Sequence, residues 1–370
     1  MNSARFGEIL DRYRGPVPSI PPLRRAAVQR FLDPSSRGAR YVVGRNAESE
    51  FLQGLLPLAG LIDDRAAPGS VWRGLPVLPM NQVPPDTWVL NASSSIAPVS
   101  VDAALARAGI GQRLALADLL ASPDAPEGLI PSFVKDLRLE IGSHRSEWLD
   151  LANRLADDES RQILADVVRF RLNPEPAGMA GYRVRFEDQY FENFLGLHDE
   201  TFVDAGGFDG NTTEQFCRRV PGYARVHFFE PSPVNMAKAR QRLAGAERIV
   251  YHPIGLSDAA AELSFNASSG SASAVTEGGG DRIRVDRLDC LLDDPPGFMK
   301  MDLEGWELCA LRGAAETIRQ HQPKLAISVF HQASHFREVF QLVLALCPDY
   351  KVRLRHYTEG WSETVMFFSK

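Results

Sequence analysis

The stretch TFVDAGGFDGNTT, residues 201–213, decides the fold of the C-terminal half of this chain. It predicts an apolar strand that ends in Asp204, a glycine-rich turn that ends at Gly210, and a helix that Thr212 can cap. Glycines in such a turn let the backbone approach a ligand closely and bend sharply into the helix. The stretch therefore predicts the first strand–turn–helix unit of an open, largely parallel α/β sheet.

Further strand patterns follow along the chain. RVHFFEPSP ends in Glu230, RIVYHPIGLSD ends near Asp258, and PGFMKMDLEGWE and PKLAISVFH supply a fourth and a fifth strand. YKVRLRHY and SETVMFFSK, joined by TEGW, predict an antiparallel hairpin at the end of the sheet. GSASAVTEGGG, residues 270–280, is predicted to be a surface loop. We assign this sheet to residues 196–370.

The N-terminal part has a smaller α/β pattern. Residues 1–39 form a polar, proline-rich extension with one helix predicted near Leu23–Leu32. Residues 40–125 alternate short apolar runs with helical spacing, which predicts a small Rossmann-like α/β domain. Residues 126–195 place apolar side chains at helical spacing and predict a helical bridge to the larger sheet.

Composition limits the classes of function. The 370 residues allow two domains, and the formal net charge of -6 argues against a general nucleic-acid binder. The four cysteines form no CxxC pair, which argues against a zinc ribbon and favours free thiols in a reducing compartment. No run reaches the ~20 apolar residues that span a bilayer, and the charged N-terminus lacks the apolar stretch of a signal peptide. We therefore expect a cytoplasmic protein without a membrane span.

Polar side chains recur at the predicted carboxyl ends of strands, where open α/β sheets bind their ligands. Asp204 and Glu230 lie about one βαβ step apart, and a carboxylate in the second position can accept the hydrogens of both ribose hydroxyls. A nicotinamide dinucleotide requires G-x-G-x-x-G, which Ala205, Gly207 and Gly210 nearly match. S-adenosylmethionine carries a sulfonium and an ammonium group, so an acidic side chain beside the turn is favourable. Asp204 fits this second cofactor better.

Four segments together resemble the FkbM family of S-adenosylmethionine-dependent methyltransferases: FVDAGGFDG, FFEPSP, KMDLEGWE and RHYTEGWSETVMFF. The K-x-D-x-E-G block from Lys300 to Gly305 is the most telling of them. The resemblance covers about residues 185–370 and departs at Gly207 and Phe208, where the family commonly has Ala and Asn. It implies a seven-stranded class I methyltransferase sheet whose last strand is antiparallel. It also implies O-methylation of hydroxyls on sugars or polyketide-like natural products.

Residues 40–125 are similar to the small N-terminal Rossmann-like domain of some sugar-modifying enzymes, through YVVGRNAESEFL, GLIDD and GLPVLP. The glycine-rich turn of that domain is reduced here to Gly44, so we expect packing, protein docking or self-association rather than nucleotide binding. Two alternatives to the methyltransferase stay open. One is an NAD-dependent oxidoreductase, and the other is a non-catalytic docking protein of a biosynthetic complex.

The resemblance and the strand ends together predict a cofactor site and a catalytic site. The cofactor-binding residues are Asp204, Gly206, Gly207, Gly210, Thr212, Glu230, Pro231, Ser257, Asp258 and Asp302. The catalytic residues are His331, Asp302 and Glu304, with His331 or Asp302 as the general base for a small-molecule or glycan acceptor. His335 is a weaker candidate for the base. No metal site is predicted, although Asp302 and His331 could together hold a divalent ion that orients two vicinal hydroxyls.

Four other side chains have two interpretations each. Gln189 and Tyr190 could close over the cofactor or belong to the core. His356 and Glu363 could line the acceptor pocket or lie on the surface of the hairpin.

Overall fold

The computed structural model describes residues 3–12, 21–36, 38–123, 125–265 and 281–370, so the predicted loop 270–280 lies outside the described residues. The chain divides into two compact units, and each unit is assembled from several chain segments. The first unit comprises Met1–Asn153, Arg161–Arg185 and His356–Glu363, and the second comprises Arg154–Ser160, Phe186–Arg355 and Thr364–Lys370. No helix in the described ranges is both long enough and apolar enough to cross a bilayer.

A six-stranded sheet forms the centre of the first unit. Its strands are β1 (Arg40–Val43), β2 (Leu58–Ile62), β3 (Val71–Trp72), β4 (Leu75–Leu78), β5 (Trp88–Asn91) and β6 (Gln112–Ala115). They lie in the order β3-β4-β2-β1-β5-β6, and all pairs are parallel except β3 with β4. The helices in this part of the chain are α1 (Ser3–Arg12), α2 (Pro22–Leu32), α3 (Ala47–Leu55), α4 (Pro98–Arg107), α5 (Leu116–Leu120), α6 (Ser132–Arg154) and α7 (Asp158–Leu172).

All four residues of β1 and of β5 are buried, as expected for central strands of a parallel sheet that is covered on both faces. Val42 and Leu90 belong to one apolar cluster of the sheet, and Val43 and Val89 belong to the other. The two clusters explain why these strands read as continuous apolar runs rather than as alternating patterns.

The segment His356–Glu363 completes the first unit. The backbone N–H of Trp361 donates to the carbonyl of Ser94 at 3.0 Å. The Glu359 carboxylate accepts a hydrogen bond of 2.7 Å from the backbone N–H of Ser100, in the first turn of α4. A Cβ on Gly360 would lie 2.2 Å from the Ser94 carbonyl oxygen, so only glycine allows this approach. The first unit therefore needs the segment His356–Glu363, which is distant in sequence from the rest of that unit.

Two sheets form the second unit. The larger has seven strands: β7 (Thr201–Ala205), β8 (Arg225–Phe229), β9 (Ile249–His252), β13 (Phe298–Met301), β14 (Lys324–Ser328), β15 (Lys351–His356) and β16 (Thr364–Ser369). The smaller contains β10 (Gly255–Leu256), β11 (Ala261–Phe265) and β12 (Asp281–Asp286). The helices are α8 (Asn211–Arg219), α9 (Pro233–Arg242), α10 (Glu307–Gly313), α11 (Ala315–His321) and α12 (His335–Leu346).

The strand order of the larger sheet is β15-β16-β14-β13-β7-β8-β9. Strands β7, β8, β9, β13 and β14 pair in parallel, whereas β16 pairs with β14 in the antiparallel direction. This arrangement confirms the predicted α/β class, with a seven-stranded Rossmann-like sheet whose last strand is reversed. Because the five parallel strands point the same way, the residues that follow them meet at one edge of the sheet.

Two predicted strands end earlier than the sequence pattern suggested. RIVYHPIGLSD is not one strand, because β9 ends at His252 and the following Pro253 has no backbone N–H to continue the ladder. The chain then enters β10, which belongs to the three-stranded sheet, so Asp258 does not end a strand of the main sheet. Strand β14 ends at Ser328, three residues before His331.

Candidate active site

The glycine-rich turn after β7 lies against the end of β13. Gly206 has φ +78°, and a Cβ there would lie 1.9 Å from the carbonyl oxygen of Asp302. A Cβ on Gly207 would lie 2.1 Å from the ring of Phe228. Gly210 has φ +85° and directly precedes α8. A side chain at Gly206 or Gly207 would clash with these neighbours, and the positive φ of Gly210 favours glycine there.

Asp204, at the end of β7, is fully buried and anchors this turn. One carboxylate oxygen lies 3.1 Å from Nζ of Lys300, and the other accepts a 2.7 Å hydrogen bond from the hydroxyl of Thr213. Lys300 also donates to the carbonyl of Gly206 at 2.8 Å. Asp204 is thus tied to Thr213, whereas the predicted Thr212 is the partly exposed neighbour in the same helix turn.

Glu230 follows β8 and is 5% exposed. Its carboxylate accepts hydrogen bonds from the backbone N–H groups of Phe208, at 3.0 Å, and Ser232, at 2.8 Å. Burial raises the pKa of Glu230, although these two backbone donors act in the opposite direction. Pro231 lies between Glu230 and Ser232, whose side chain caps α9. Glu230 and the glycine-rich turn are therefore in direct contact.

The two predicted residues after β10 differ in their surroundings. Ser257 is buried, and its hydroxyl oxygen accepts a hydrogen bond of 3.3 Å from the indole N–H of Trp306. Trp306 belongs to the KMDLEGWE block, so Ser257 is joined to the segment after β13. Asp258 is exposed, and its carboxylate lies 3.3 Å from the Ser257 hydroxyl.

Five ionisable side chains after β13 and β14 form what we call the Glu307 cluster: Asp302, Glu304, Glu307, His331 and His335. Glu307 is fully buried at the start of α10. One of its carboxylate oxygens lies 2.9 Å from Nδ1 of His331, and the other lies 3.2 Å from Nδ1 of His335. Nε2 of His331 lies 3.5 Å from Asp302 and 3.4 Å from Glu304. The three predicted catalytic residues are therefore brought together.

Charge pairing within the cluster changes its proton affinities. Burial opposes the charged form of His331, but Glu307, Asp302 and Glu304 outweigh it and raise the pKa of the imidazole to about 9. Burial raises the pKa of Glu304 to about 7, and the neighbouring carboxylates act in the same direction. Burial also opposes ionisation of Glu307, yet His331 and His335 hold its pKa far below the ordinary value. His331 thus carries a proton at neutral pH when only these side chains surround it.

The cluster is held by charge rather than by aligned hydrogen bonds. Within the described residues, no correctly oriented hydrogen bond reaches Oδ1 of Asp302, Oε2 of Glu307, either ring nitrogen of His331, or Nδ1 of His335, although all these atoms are buried. The distances between them are those of ion pairs, but the angles do not suit hydrogen bonding. Asp302, Glu307 and His331 also each place one potential ligand atom within 4.8 Å of the other two.

Tyr190 orients Asp302 through the carboxylate oxygen Oδ2, whereas the other oxygen, Oδ1, lies near His331. The Tyr190 hydroxyl donates to Oδ2 of Asp302 at 2.8 Å and accepts from the side-chain amide of Gln189 at 3.0 Å. The hydroxyl of Ser328 lies 3.3 Å away. Tyr190 adopts φ +74°, an uncommon conformation for a residue with a side chain. Gln189 and Tyr190 are both buried; Tyr190 contacts the cluster directly, and Gln189 contacts Tyr190.

Sequence reasoning missed Glu307 and Ser328. Glu307 does carry a signal, since it stands three residues after Glu304 in KMDLEGWE and begins a helix, where an acidic side chain is favourable. Ser328 is an ordinary strand residue without such a signal. Of the two hairpin candidates, His356 is buried in the first unit, where the ring of Tyr182 packs edge-on at 5.3 Å, and Glu363 has φ +64° in the same unit.

Comparisons with known proteins point to one family. Residues 196–354 match the sequence model of the methyltransferase FkbM domain. The crystal structure of methyltransferase FkbM from Methylobacillus flagellatus KT is similar over 99% of this chain and 98% of that chain, with 26% identity and a TM-score of 0.76. None of the curated protein sequences matches this chain.

More distant structures share part of the fold. A putative rRNA methylase from Clostridium thermocellum has 13% identity and a TM-score of 0.33 over 46% of this chain and 86% of its own. Aeropyrum pernix fibrillarin, in complex with natively bound S-adenosyl-L-methionine, has 10% identity and a TM-score of 0.31 over 48% of this chain and 72% of its own. Similarity at this level carries no argument about function.

Proposed function

Since this chain carries an FkbM methyltransferase domain at residues 196–354 and is an S-adenosylmethionine-dependent methyltransferase, we propose that it methylates a hydroxyl of a carbohydrate or related natural product. One observation carries the proposal. The glycine-rich turn after β7, Glu230 after β8 and the Glu307 cluster after β13 and β14 follow parallel strands, and so meet at one edge of the sheet. Ligands of open α/β sheets bind at this edge.

The residues around the turn suit S-adenosylmethionine. Gly206 and Gly207 let the turn pack closely against the Asp302 carbonyl and the Phe228 ring, and we assign the backbone of this turn to the methionine part of the cofactor. We assign Glu230 to the ribose hydroxyls, and Ser257 and Asp258 to the side of the adenine. The buried ion pair of Asp204 and Lys300 holds the glycine-rich turn in place. When bound, the cofactor supplies an electrophilic methyl group on its sulfonium.

The Glu307 cluster suits the other reactant. An alcohol is a weak nucleophile until it loses its proton, so a group that takes this proton assists the transfer. We assign this role to the carboxylates of Asp302 and Glu304, which lie 3.5 Å and 3.4 Å from Nε2 of His331. His331, which the sequence predicts as a base, is itself protonated at neutral pH because its pKa is raised to about 9, and we assign it to holding the two carboxylates in place. The backbone carbonyl of Asp302 also contacts the glycine-rich turn, so the Glu307 cluster lies directly beside the proposed cofactor site. This arrangement aligns the hydroxyl with the methyl group, which is most of what such a transfer needs.

Calorimetry with S-adenosylhomocysteine tests the cofactor site. Glu230→Ala is expected to weaken binding by about 1–3 kcal/mol, since a buried charged hydrogen-bond partner is lost. That loss is roughly 5- to 150-fold in the dissociation constant. Glu262→Ala, which removes an exposed carboxylate from β11, is the matched control and should leave binding unchanged. Failure of the wild-type chain to bind S-adenosylhomocysteine at millimolar concentration would overturn the proposal.

A second experiment tests the acceptor class. Cell extracts are incubated with the enzyme and S-adenosylmethionine, and mass spectrometry identifies products that gain a methyl group. We expect the products to be methyl ethers of polyhydroxylated compounds, and His331→Ala to lower their rate of formation without changing the affinity for S-adenosylhomocysteine. Methylation only on nitrogen, sulfur or carbon would contradict the proposal. Docking of a protein partner or self-association through residues 40–125, and a cytoplasmic location, stay predictions.

A further inference from the structure

Three side chains of the Glu307 cluster have the spacing of metal ligands. Asp302, Glu307 and His331 each offer one ligand atom, and the three atoms lie within 4.8 Å of one another. Ligand atoms that surround one divalent ion at ~2.0–2.2 Å are at most ~4.4 Å apart. Shifts of each atom by less than about 1 Å toward a common centre therefore bring all three within bonding distance of one ion. They sit next to the ends of β13 and β14 and at the start of α10, which are fixed elements of the sheet and its cover.

The unsatisfied atoms of these side chains are the second observation. The side chain of His331 is 9% exposed and that of Glu307 is fully buried. Both nitrogens of His331, Oε2 of Glu307 and Oδ1 of Asp302 lack an aligned hydrogen bond from any described residue. Buried polar atoms without an aligned hydrogen bond are unfavourable. A cation placed among them would provide the electron-pair acceptor that the oxygens and one ring nitrogen lack.

Charge also favours a cation at this place. The carboxylates of Asp302, Glu304 and Glu307 lie within 3.5 Å of the imidazole of His331, and Glu307 also lies 3.2 Å from His335, so three carboxylates face two imidazoles. Lys300, on the neighbouring β13, is already paired with the buried carboxylate of Asp204. A divalent ion would balance the excess negative charge of the three carboxylates.

Two of the candidate metal ligands accept hydrogen bonds from neighbouring groups, as ligands of metal sites commonly do. The remaining oxygen of Asp302 accepts a 2.8 Å hydrogen bond from Tyr190, and Oε1 of Glu307 accepts one of 2.7 Å from the backbone N–H of Leu303. Such second contacts orient the ligand atoms before the metal arrives and strengthen its binding.

We propose that Asp302, Glu307 and His331 bind one divalent transition-metal ion. Imidazole suits zinc and iron, and carboxylates suit manganese and magnesium, so this mixed set fits an ion that accepts both, such as Mn²⁺. Three protein ligands leave open coordination positions, as in catalytic rather than structural sites. Two adjacent hydroxyls of the acceptor could occupy them, which narrows the acceptor to vicinal diols; this last step rests on the proposed function.

Binding of Mn²⁺ to the full chain tests the site directly. The protein is stripped with a chelator, dialysed and titrated with Mn²⁺, and free Mn²⁺ is followed by electron paramagnetic resonance. We expect one ion per chain, together with a rise in melting temperature, because an ion that binds only the folded state stabilises it. Asp302→Asn and His331→Gln should each weaken binding at least tenfold. Glu316→Gln, on the exposed face of α11, is the matched control and should bind as the wild type does.

Asp302 and His331 are substituted instead of Glu307, because burial makes a substitution more harmful to folding. Glu307 is fully buried, so a variant there could fail to fold; Asp302 is 27% exposed in its side chain and is the safer position. Zn²⁺ binding in place of Mn²⁺, lost in the same two variants, would support the site. Wild-type binding no tighter than that of Asp302→Asn and His331→Gln, with both variants folded by circular dichroism, would overturn it.

Separate measurements distinguish this inference from the proposed function. S-adenosylhomocysteine binding without metal binding overturns the metal site and leaves the methyltransferase proposal intact. Metal binding without any methylated hydroxyl product overturns the acceptor proposal and leaves the site. If both hold, chelation should abolish methylation of vicinal diols and Mn²⁺ should restore it. A diol turnover that chelation does not change would remove the role of the metal in the reaction.

Discussion

Lys300 and Asp204 form a buried ion pair beneath the glycine-rich turn, with side chains 2% and 0% exposed. Removing one member of such a pair leaves an uncompensated charge in the interior, which typically costs about 3–5 kcal/mol. We therefore expect Lys300→Met to lower the free energy of unfolding by that amount in urea denaturation. The double variant with Asp204→Asn should be less destabilised than the sum of the two single variants, because the charge and its partner are removed together.

An exposed ion pair provides the control for this prediction. Arg319 and Glu316 lie 2.7 Å apart on α11 with half of each side chain in solvent. Arg319→Met should change the free energy of unfolding by less than about 1 kcal/mol, as is usual for surface pairs. Equal effects of Lys300→Met and Arg319→Met would show that burial does not determine the strength of the Lys300–Asp204 pair.

Several residues of the site could be predicted because their signal is local. Asp204 and Glu230 follow apolar strands, and Gly206 lies in a turn that the adjacent helix start makes recognisable. Ser328 could not be predicted, because its role depends on contact with Tyr190, which lies 138 positions earlier in the chain. The pairing of Asp204 with Lys300 could not be predicted either, because the sequence around a lysine in an apolar strand does not indicate which residue it pairs with.

The contact between His227 and His252 joins β8 and β9 and makes stability depend on pH. Nδ1 of His227 lies 3.0 Å from Nε2 of His252, and Nε2 of His227 lies 2.9 Å from Asp294. Burial, together with the neighbouring His227, lowers the pKa of His252 from 6.5 to about 4. Between pH 6.5 and about 4, His252 is therefore protonated in the unfolded chain but still neutral in the folded chain. This contribution to stability is complete above pH 6.5 and is lost as the pH falls from 6.5 to 4.

Urea denaturation at several pH values between 7.5 and 4.5 checks this dependence. The His252→Gln variant should lose less stability than the wild type as the pH falls, because the group with the lowered pKa is gone. His321→Gln, on the exposed last turn of α11, should keep the wild-type slope. A His252→Gln slope that equals the wild-type slope would assign the pH dependence to other groups.

Long apolar strands were predicted well, whereas short strands were not. TFVDA becomes β7, and the run PKLAISVFH contains β14, which ends three residues before the predicted end at His331, because apolar runs between turn residues are typical of buried strands of parallel sheets. The three-stranded sheet was missed, since β10 has two residues and pairs with β12, which lies almost 30 positions later. Where Pro253 divides the third predicted strand, the missing N–H donor outweighed the continuous apolar pattern.

Residues Arg154–Ser160 belong to the second unit, although they are separated in sequence from its main segment, which begins at Phe186. The N–H of Ala156 donates to the carbonyl of Val352 on β15 at 2.8 Å, and Asp157 pairs with Arg355 at 3.1 Å. A fragment that begins at Phe186 loses these contacts and leaves one side of β15 exposed as a sheet edge. We expect this fragment to unfold at a lower urea concentration than the full chain, as measured by circular dichroism. An unchanged midpoint would mean that residues 154–160 add nothing to the sheet.

The division of the chain shows what sequence patterns cannot supply for the whole molecule. Predicted boundaries at residues 125 and 195 follow changes of composition along the chain, and they stay predictions. Contacts instead group segments that are distant in sequence, such as His356–Glu363 with the N-terminal sheet. Hydrophobic periodicity is a property of neighbouring residues, so it predicts helices and strands but not which distant segments pack together.

The place of His356–Glu363 in the first unit also has a consequence for biosynthesis. The ribosome releases the N-terminal sheet long before it makes Trp361, whose N–H binds the carbonyl of Ser94. Roughly 240 residues separate the end of that sheet at Ala115 from His356, and translation at about 5–20 residues per second takes ~12–48 s to supply them. Throughout that interval the nascent chain holds an incomplete first unit, which reaches its final form only after residues 356–363 have been made.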